Sequence, residues 1–316
     1  MKAIRVSRFG DPSVLEYQDV PALSPGPGQV LVRLHAAGVN PVEAYIRAGT
    51  YPRLPELPYT PGSDGAGVVE QSDTLPPGTR VFVAAALTGA YAEQTLCAPG
   101  EVFQLPDHIS FEQGAALGVP YGTATWALFY RGRIHAGETI LVHGASGGVG
   151  LAAVQLARAA GLRVLGTAGT AEGLDLVKQN GAEAAFNHRE PGYLDAIKAA
   201  TNGKGLDIIL EMAAHQNLGL DLTLLARRGR VVVVGSRGPV EIDARNIMTR
   251  EADIIGITIF SPTPELRTQI YQRIRAGLED RSLNPVIGQA FPLREAARAH
   301  EQIMTSSARG KVVLTM

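Results

Sequence analysis

Between residues 138 and 260, short apolar runs of strand length alternate with longer runs of helical character, and this alternation constrains the fold more than any other feature of the chain. Residues 139–142 read as a strand and 149–160 as an Ala/Leu/Val helix closed by Gly161. A strand at 162–167 follows, then a helix at 172–179 closed by Asn180-Gly181, and a strand at 184–187. Helices at 194–199 and 218–226 separate further strands at 207–210, 231–234 and 254–259. Parallel strands need a crossover between them, whereas antiparallel strands do not, so a helix after each strand predicts a doubly wound parallel sheet covered on both faces.

The first hundred residues follow a different rhythm. Residues 29–35 (QVLVRLH) and 79–83 alternate apolar and polar positions, and Pro21, Pro25, Pro27, Pro76 and Pro77 interrupt the intervals. A mostly β, partly open barrel is expected there. In the tail, Leu266, Ile270, Ile274 and Leu278 recur every four residues, and Leu293, Ala296, Ala297, His300, Ile303 and Met304 keep a three-four spacing. Strands at 285–291 and 311–315 accompany these two amphipathic helices and return the chain to the first region. The fold class is therefore α/β. A mostly β domain is built from residues 1–122 and 263–316, and a parallel-sheet domain, 123–262, is inserted into it.

His143-Gly144-Ala145-Ser146-Gly147-Gly148-Val149-Gly150 lies between the first strand and first helix of the inserted region. Ala145, Gly147 and Gly150 occupy the three positions of the dinucleotide fingerprint, with alanine for the first glycine. The middle glycine lets backbone approach a pyrophosphate, the last lets helix and strand pack closely, and the helix N-terminus offers N–H groups to phosphate. An NAD enzyme places an acidic residue about 20 residues further on, at the end of the second strand. This chain has Gly166-Thr167-Ala168-Gly169-Thr170 there. No carboxylate repels a 2′-phosphate, and His188-Arg189, beyond the third strand, is placed at the adenosine end. A solvated helix face accounts for Lys178. NADPH is the expected cofactor.

Other chemistries find less support. Zinc sites need three or four suitably spaced Cys, His or carboxylate ligands. The seven histidines are scattered, no HExxH occurs, and Cys97 is the only cysteine, so no metal is expected. Cys97 lies in a strand-like stretch and reads as a small buried hydrophobe. The balance of 29 basic and 30 acidic residues, net −1, gives no general field for a polyanion. Arg227-Arg228-Gly229-Arg230 is assigned to the gap between a helix and a strand, where a helix C-terminus attracts cations. No apolar run approaches the roughly 20 residues of a membrane span, and Met1-Lys2-Ala3-Ile4-Arg5 opens no signal peptide, so a cytoplasmic location is expected.

Several further segments keep a fixed order along the chain. They are Gly38-Val39-Asn40-Pro41-Val42-Glu43, Tyr45-Ile46-Arg47-Ala48-Gly49-Thr50-Tyr51 and Leu57-Pro58-Tyr59-Thr60-Pro61-Gly62-Ser63-Asp64. After the fingerprint come residues 166–170, Phe186-Asn187-His188-Arg189-Glu190, Val234-Gly235-Ser236-Arg237-Gly238 and Gly310-Lys311-Val312. Together with the fingerprint, they resemble the zeta-crystallin-like quinone oxidoreductases of the medium-chain dehydrogenase/reductase superfamily over essentially the whole chain. The resemblance implies a GroES-like domain from both termini and an inserted Rossmann domain. Zinc-containing relatives carry a His-Glu pair where this chain has Pro61-Gly62-Ser63-Asp64, and a cysteine-rich lobe that it lacks, so a zinc-independent enzyme is implied.

By the same resemblance, Ser146, Gly147, Gly148 and Val149 match the pyrophosphate loop, Gly169 and His188 the adenosine-ribose contacts, and Asn217 a contact beyond the fourth strand. Val234, Gly235, Ser236 and Arg237, with Ile257, Thr258 and Ile259, match the segments lining the nicotinamide half. Tyr45 matches a side chain reaching the cofactor from the barrel domain, and Asn40 and Tyr51 flank the implied substrate pocket. Many quinone reductases carry a lysine for the 2′-phosphate just past the second strand; here Ala171-Glu172-Gly173 stands instead, an absence shared with the zeta-crystallin branch. The implied activity is NADPH-dependent reduction of a small quinone entering the interdomain cleft, with Asn40, Tyr45 and Tyr51 as catalytic residues and the electron count open. Reduction of an enone or 2-alkenal double bond is the alternative, with Tyr51 as proton donor. A nucleotide- or RNA-binding protein without turnover is the second, which the near-neutral charge disfavours for RNA. A homodimer is expected, with a tetramer as the larger possibility, pairing through an apolar edge at 253–260.

Overall fold

In the computed structural model, which describes residues 1–304 and 309–316, the chain divides into two units, Met1–Gly122 with Thr263–Met316 and Thr123–Pro262. The first opens with the antiparallel pair β1 (Lys2–Arg5) and β2 (Glu16–Asp19). Next come β3 (Val30–Val39), α1 (Pro41–Arg47), β4 (Gly65–Gln71), β5 (Arg80–Val83), β6 (Gln94–Cys97), β7 (Val102–Gln104) and the short helix α2 (Phe111–Gly114). Asn40 follows β3 in extended conformation and caps α1, whose first residue is Pro41. Proline suits that position, because its missing N–H would have had no intrahelical partner. The one-turn helix α3 (Gly122–Thr125) leads into the second unit.

There the strands are β8 (Thr139–Val142), β9 (Arg163–Ala168), β10 (Ala184–Asn187), β11 (Leu206–Glu211), β12 (Leu225–Val233) and β13 (Asp253–Gly256). The helices between them are α4 (Gly148–Ala159), α5 (Ala171–Gln179), α6 (Tyr193–Ala200), α7 (Ala214–Leu224) and α8 (Ala244–Arg250). All pairings are parallel, and the order is β10-β9-β8-β11-β12-β13. Sequence order thus reverses between β8 and β11, the doubly wound arrangement in which ligands bind outside the strands' carboxyl ends at the reversal. Leu141, Leu165, Ile209 and Val231, one from each of four neighbouring strands, are buried in one cluster with Leu218 and Leu222 of α7.

The chain then returns to the first unit through α9 (Pro264–Glu279), β14 (Ile287–Pro292), α10 (Ala296–Met304) and β15 (Lys311–Thr315). The larger sheet of that unit has the order β14-β15-β3-β4-β5-β7, and β6 also pairs with β3. β15 lies antiparallel to the second half of β3, so the C-terminal segment completes a sheet begun by the N-terminal one. Ile270, Ile274 and Leu278 of α9 are fully buried, each removal from water worth about 1.5–3 kcal/mol.

Three sequence expectations need correction. The helix expected at 218–226 starts and ends earlier, as α7, because Ala214 N–H already bonds the Gly235 carbonyl at 2.9 Å. Arg227-Arg228-Gly229-Arg230 therefore lies within β12, where the register against β11 shifts and Arg228 takes a left-handed conformation (φ 62°). Arg227 and Arg228 turn outward to Glu251 at 2.9 and 3.0 Å, while the buried Arg230 bonds Glu138 at 2.8 Å. Finally, the strand expected at 254–259 is only four residues long, and beyond Gly256 the Ile257 N–H alone continues toward the β12 Val233 carbonyl, at 3.2 Å.

Candidate functional site

Because all six strands of the second unit run the same way, their C-terminal ends share one edge, and each end carries residues expected to hold the nucleotide. Ser146, Gly147, Gly148 and Val149 follow β8 and open α4; Gly169 follows β9; His188 follows β10. Asn217 lies in the first turn of α7 after β11, Val234–Arg237 follow β12, and Ile257–Ile259 follow β13. Val234 and Gly235 N–H both bond the Glu211 carbonyl, at 2.8 and 3.3 Å, and Arg237 N–H bonds His215 Nδ1 at 3.2 Å. Ser146 is buried, Gly147, Gly148, Val149, Gly169, Asn217, Val234 and Gly235 are half-buried, and His188, Ser236 and Arg237 are exposed.

The turn into α4 is tight. A methyl group on Gly150 would meet the Gly144 carbonyl oxygen and come within 2.6 Å of Ala145 Cα, so only glycine allows this helix to start so close to its strand. At the β9 end, a methyl group on Gly169 would lie 2.9 Å from Arg189 Nε and 3.1 Å from His188 Cε1. A guanidinium and an imidazole therefore stand beside a strand end that presents no carboxylate. Arg189 N–H is held by Asn187 Oδ1 at 3.0 Å, which fixes the turn after β10.

Beneath this edge lies a buried cluster that sequence reading missed. His143, Glu211 and Asp221 are at most 3% exposed. His143 Nε2 is 2.9 Å from Asp221 Oδ1 and 3.6 Å from Glu211 Oε2, and Nδ1 is 3.2 Å from the Thr167 hydroxyl. That hydroxyl accepts the Gly144 N–H at 3.2 Å. Glu211 accepts the Ala213 N–H and, through both oxygens at 3.2 Å, the Asn217 side-chain amide. Burial holds His143 below its usual range and pushes Glu211 and Asp221 up to about 7. The signal available was weak: one acidic residue ending an apolar strand and another inside a helix.

In the first unit, Asn40 is buried and committed to internal bonds. Its side-chain amide donates to Asp64 Oδ1 at 2.7 Å and Glu43 Oε1 at 3.0 Å, and its oxygen accepts from Lys311 Nζ. For Asn40 to bond a substrate directly, in the catalytic role that the resemblance implies, one of these bonds would have to break. Asp64 also accepts the Val119 N–H at 2.7 Å, and its Oδ2 lies 3.9 Å from Lys311 Nζ. Glu43 accepts from Asn40 N–H and the Tyr91 hydroxyl, each at 2.8 Å, and from Ser63 N–H at 3.0 Å. Tyr91 also meets His300 Nε2 at 3.0 Å. Burial lowers Lys311 and raises Glu43, with Asp64 raising Glu43 further. Tyr45 lies within α1 and Tyr51 just beyond it, both half-buried.

Residues 26–123 match the alcohol dehydrogenase GroES-like domain and residues 148–275 the zinc-binding dehydrogenase family. The human quinone oxidoreductase is 52% identical over 322 residues, covering 100% of this chain and 98% of the human protein. Among solved structures, the Escherichia coli quinone oxidoreductase complexed with NADPH is 28% identical, with TM-score 0.89 and full coverage of both chains. An NAD-dependent alcohol dehydrogenase also superposes over both full lengths, with 29% identity and TM-score 0.93, so the fold alone does not choose the nucleotide. The order of its two units, the strand-end geometry and the full-length identity together make the chain a member of the zeta-crystallin-like quinone oxidoreductases of the medium-chain dehydrogenase/reductase superfamily.

Proposed function

We propose that the chain is an NADPH-dependent, zinc-independent oxidoreductase that reduces small quinones. The observation carrying this is the end of β9, where Arg189 and His188 stand beside Gly169. A ribose phosphate there meets a cation where an NAD enzyme presents a carboxylate. The bound nicotinamide supplies the reducing equivalents. Residues 146–149 offer the N–H groups and helix dipole of α4 to the pyrophosphate, and Gly150 keeps that helix start close. Asn217 contacts the cofactor beyond β11, and Val234–Arg237 and Ile257–Ile259 line the nicotinamide half.

By the family likeness, Tyr45 is the first unit's cofactor residue, and Tyr51 the donor to the quinone oxygen that gains negative charge. Asn40 acts through its neighbours: it ties Asp64 and Lys311 to the start of α1, the helix that carries Tyr45. The cation beside Asp64 is the Lys311 ammonium, which suits a site working without zinc. β13 ends the six-strand order, and exposed Ile254 and Phe260 near it favour a homodimer paired along this edge, to be checked by light scattering. A lone buried cysteine fits a cytoplasmic setting.

The test is a parallel titration with NADPH and NADH, followed by turnover of 1,4-benzoquinone and of an enone. Arg189→Gln should weaken NADPH binding by roughly 10- to 100-fold, the worth of a charge-assisted hydrogen bond, and leave NADH unchanged. Equal loss for both nucleotides would remove Arg189 from phosphate recognition. Turnover of the enone alone would make the chain a double-bond reductase.

A further inference from the structure

Three of the segments assigned to the nucleotide hang from one buried cluster. Through Thr167, His143 steadies the Gly144 N–H at the start of the fingerprint. Glu211 holds Asn217 by its side chain and Val234-Gly235 by its carbonyl. Asp221, one helical turn beyond Asn217 on α7, closes the cluster on His143. His143, Glu211 and Asp221 each present a polar side-chain atom within 4.8 Å of the other two. Asp221 Oδ2 is buried with no hydrogen-bond partner.

The hydrogen bonds are consistent with one neutral tautomer. With its ring proton on Nε2, His143 donates to Asp221; Nδ1 then accepts from the Thr167 hydroxyl, whose oxygen accepts the Gly144 N–H. That leaves two buried carboxylates in one cluster and no cation among its members. Two like charges so placed cannot both ionise without large cost, and sharing one proton removes the conflict. From packed elements, Tyr193 of α6 faces the pair, where its ionisation would add negative charge; His188, after β10, faces His143 and is held below its usual range by partial burial and Arg189.

We propose that Glu211 and Asp221 hold one proton in common, and that this proton positions the fingerprint turn and Asn217 for the nucleotide. Glu211, Asp221 and His143 are thus positioning residues that act through the groups they hold. Loss of the proton sets the two carboxylates against each other, loosens Asn217 and weakens nucleotide binding. This inference rests on the nucleotide assignment above.

Two measurements test it. Infrared spectra of the nucleotide-free protein, taken across pH 5.5–9, should show a protonated carboxyl band that fades through neutral pH and is missing in Asp221→Asn. NADPH affinity over the same range should fall by up to about tenfold per pH unit above neutrality in the wild type. Asp221→Asn, isosteric with the protonated acid, should keep the low-pH affinity and flatten that fall. The NADPH phosphates titrate alike with both proteins, so the difference between them isolates the cluster. Glu211→Gln repeats the test should Asp221→Asn not fold. An unchanged pH slope in the variant, no carboxyl band in the wild type, or a stoichiometric metal in the purified protein would each overturn the proposal. NADPH failing to bind at any pH would sink the nucleotide assignment and the coupling with it, while the infrared band would still decide the shared proton.

Discussion

Each unit of the molecule buries a polar cluster around two carboxylates, and the two clusters neutralise themselves by different means. In the first, Lys311 stands beside Asp64, and Glu43 and Asp64 are wired by the Asn40 amide, the Tyr91 hydroxyl and three backbone N–H groups. In the second, Glu211 and Asp221 face a neutral histidine. An ammonium offsets one of two carboxylates, though burial lowers its pKa, whereas a shared proton offsets one only below the pKa of the pair. The first cluster is built as scaffold and the second as a group that responds to pH.

The sharpest way to break the comparison is to remove the cation. Lys311→Met should destabilise the protein by about 3–5 kcal/mol in urea denaturation at pH 7, because two carboxylates lose their buried counter-charge. A change below about 1 kcal/mol would mean that the first cluster is also neutralised by protons.

Acid gives the next largest effect. His300 is buried and held neutral, down to about 3, by desolvation and by nearby Arg47. The unfolded chain binds this proton below about 6.5 and the folded chain does not, so stability is full above that pH. It should fall by up to about 1.4 kcal/mol per pH unit as pH drops from 6.5 toward 3. Glu211 and Asp221 act in the opposite sense. Their raised values mean that the folded state binds the extra proton between the ordinary carboxylate range and about 7, so their contribution declines as pH rises through that window. Urea melts at pH 4, 5.5, 7 and 8.5 separate the two slopes.

Tyr91→Phe should cost about 1–3 kcal/mol, since Glu43 and His300 both lose a partner inside the unit. The smallest effect, and the one of opposite sign, belongs to Asp221→Asn. At pH 8.5 it should stabilise the protein by about 1 kcal/mol, by relieving a carboxylate pair that has lost its proton. Destabilisation at that pH would mean that Asp221 is needed charged, which would erase the contrast.

Much of the architecture was legible because it rests on local chemistry. The apolar runs of β8, β9, β10 and β11 stood out against the helices between them, and Gly161 and Asn180-Gly181 marked real helix ends. Where tertiary pairing overrides propensity, legibility failed. Residues 227–230 are charged and contain a glycine, yet they belong to β12 because Leu225 and Arg230–Val233 pair with β11 across a bulge. The 254–259 run has four isoleucines in six residues, yet the ladder stops at Gly256, where the partner strand also ends. Asn40 precedes Pro41 and caps α1, a local arrangement; its amide's threefold engagement depends on Asp64 and Lys311, 24 and 271 residues away.

The sequence by itself determined the alternation that forces a parallel sheet, the turn into α4, the missing carboxylate after β9 and the family, because each is written in neighbouring residues. Only the tertiary structure decided which charges are buried and what balances them. Lys311 is one of five lysines, and Asp221 one acid among thirty. Their roles arise from desolvation and from partners brought together by sheet pairing, and neither quantity is local in the chain.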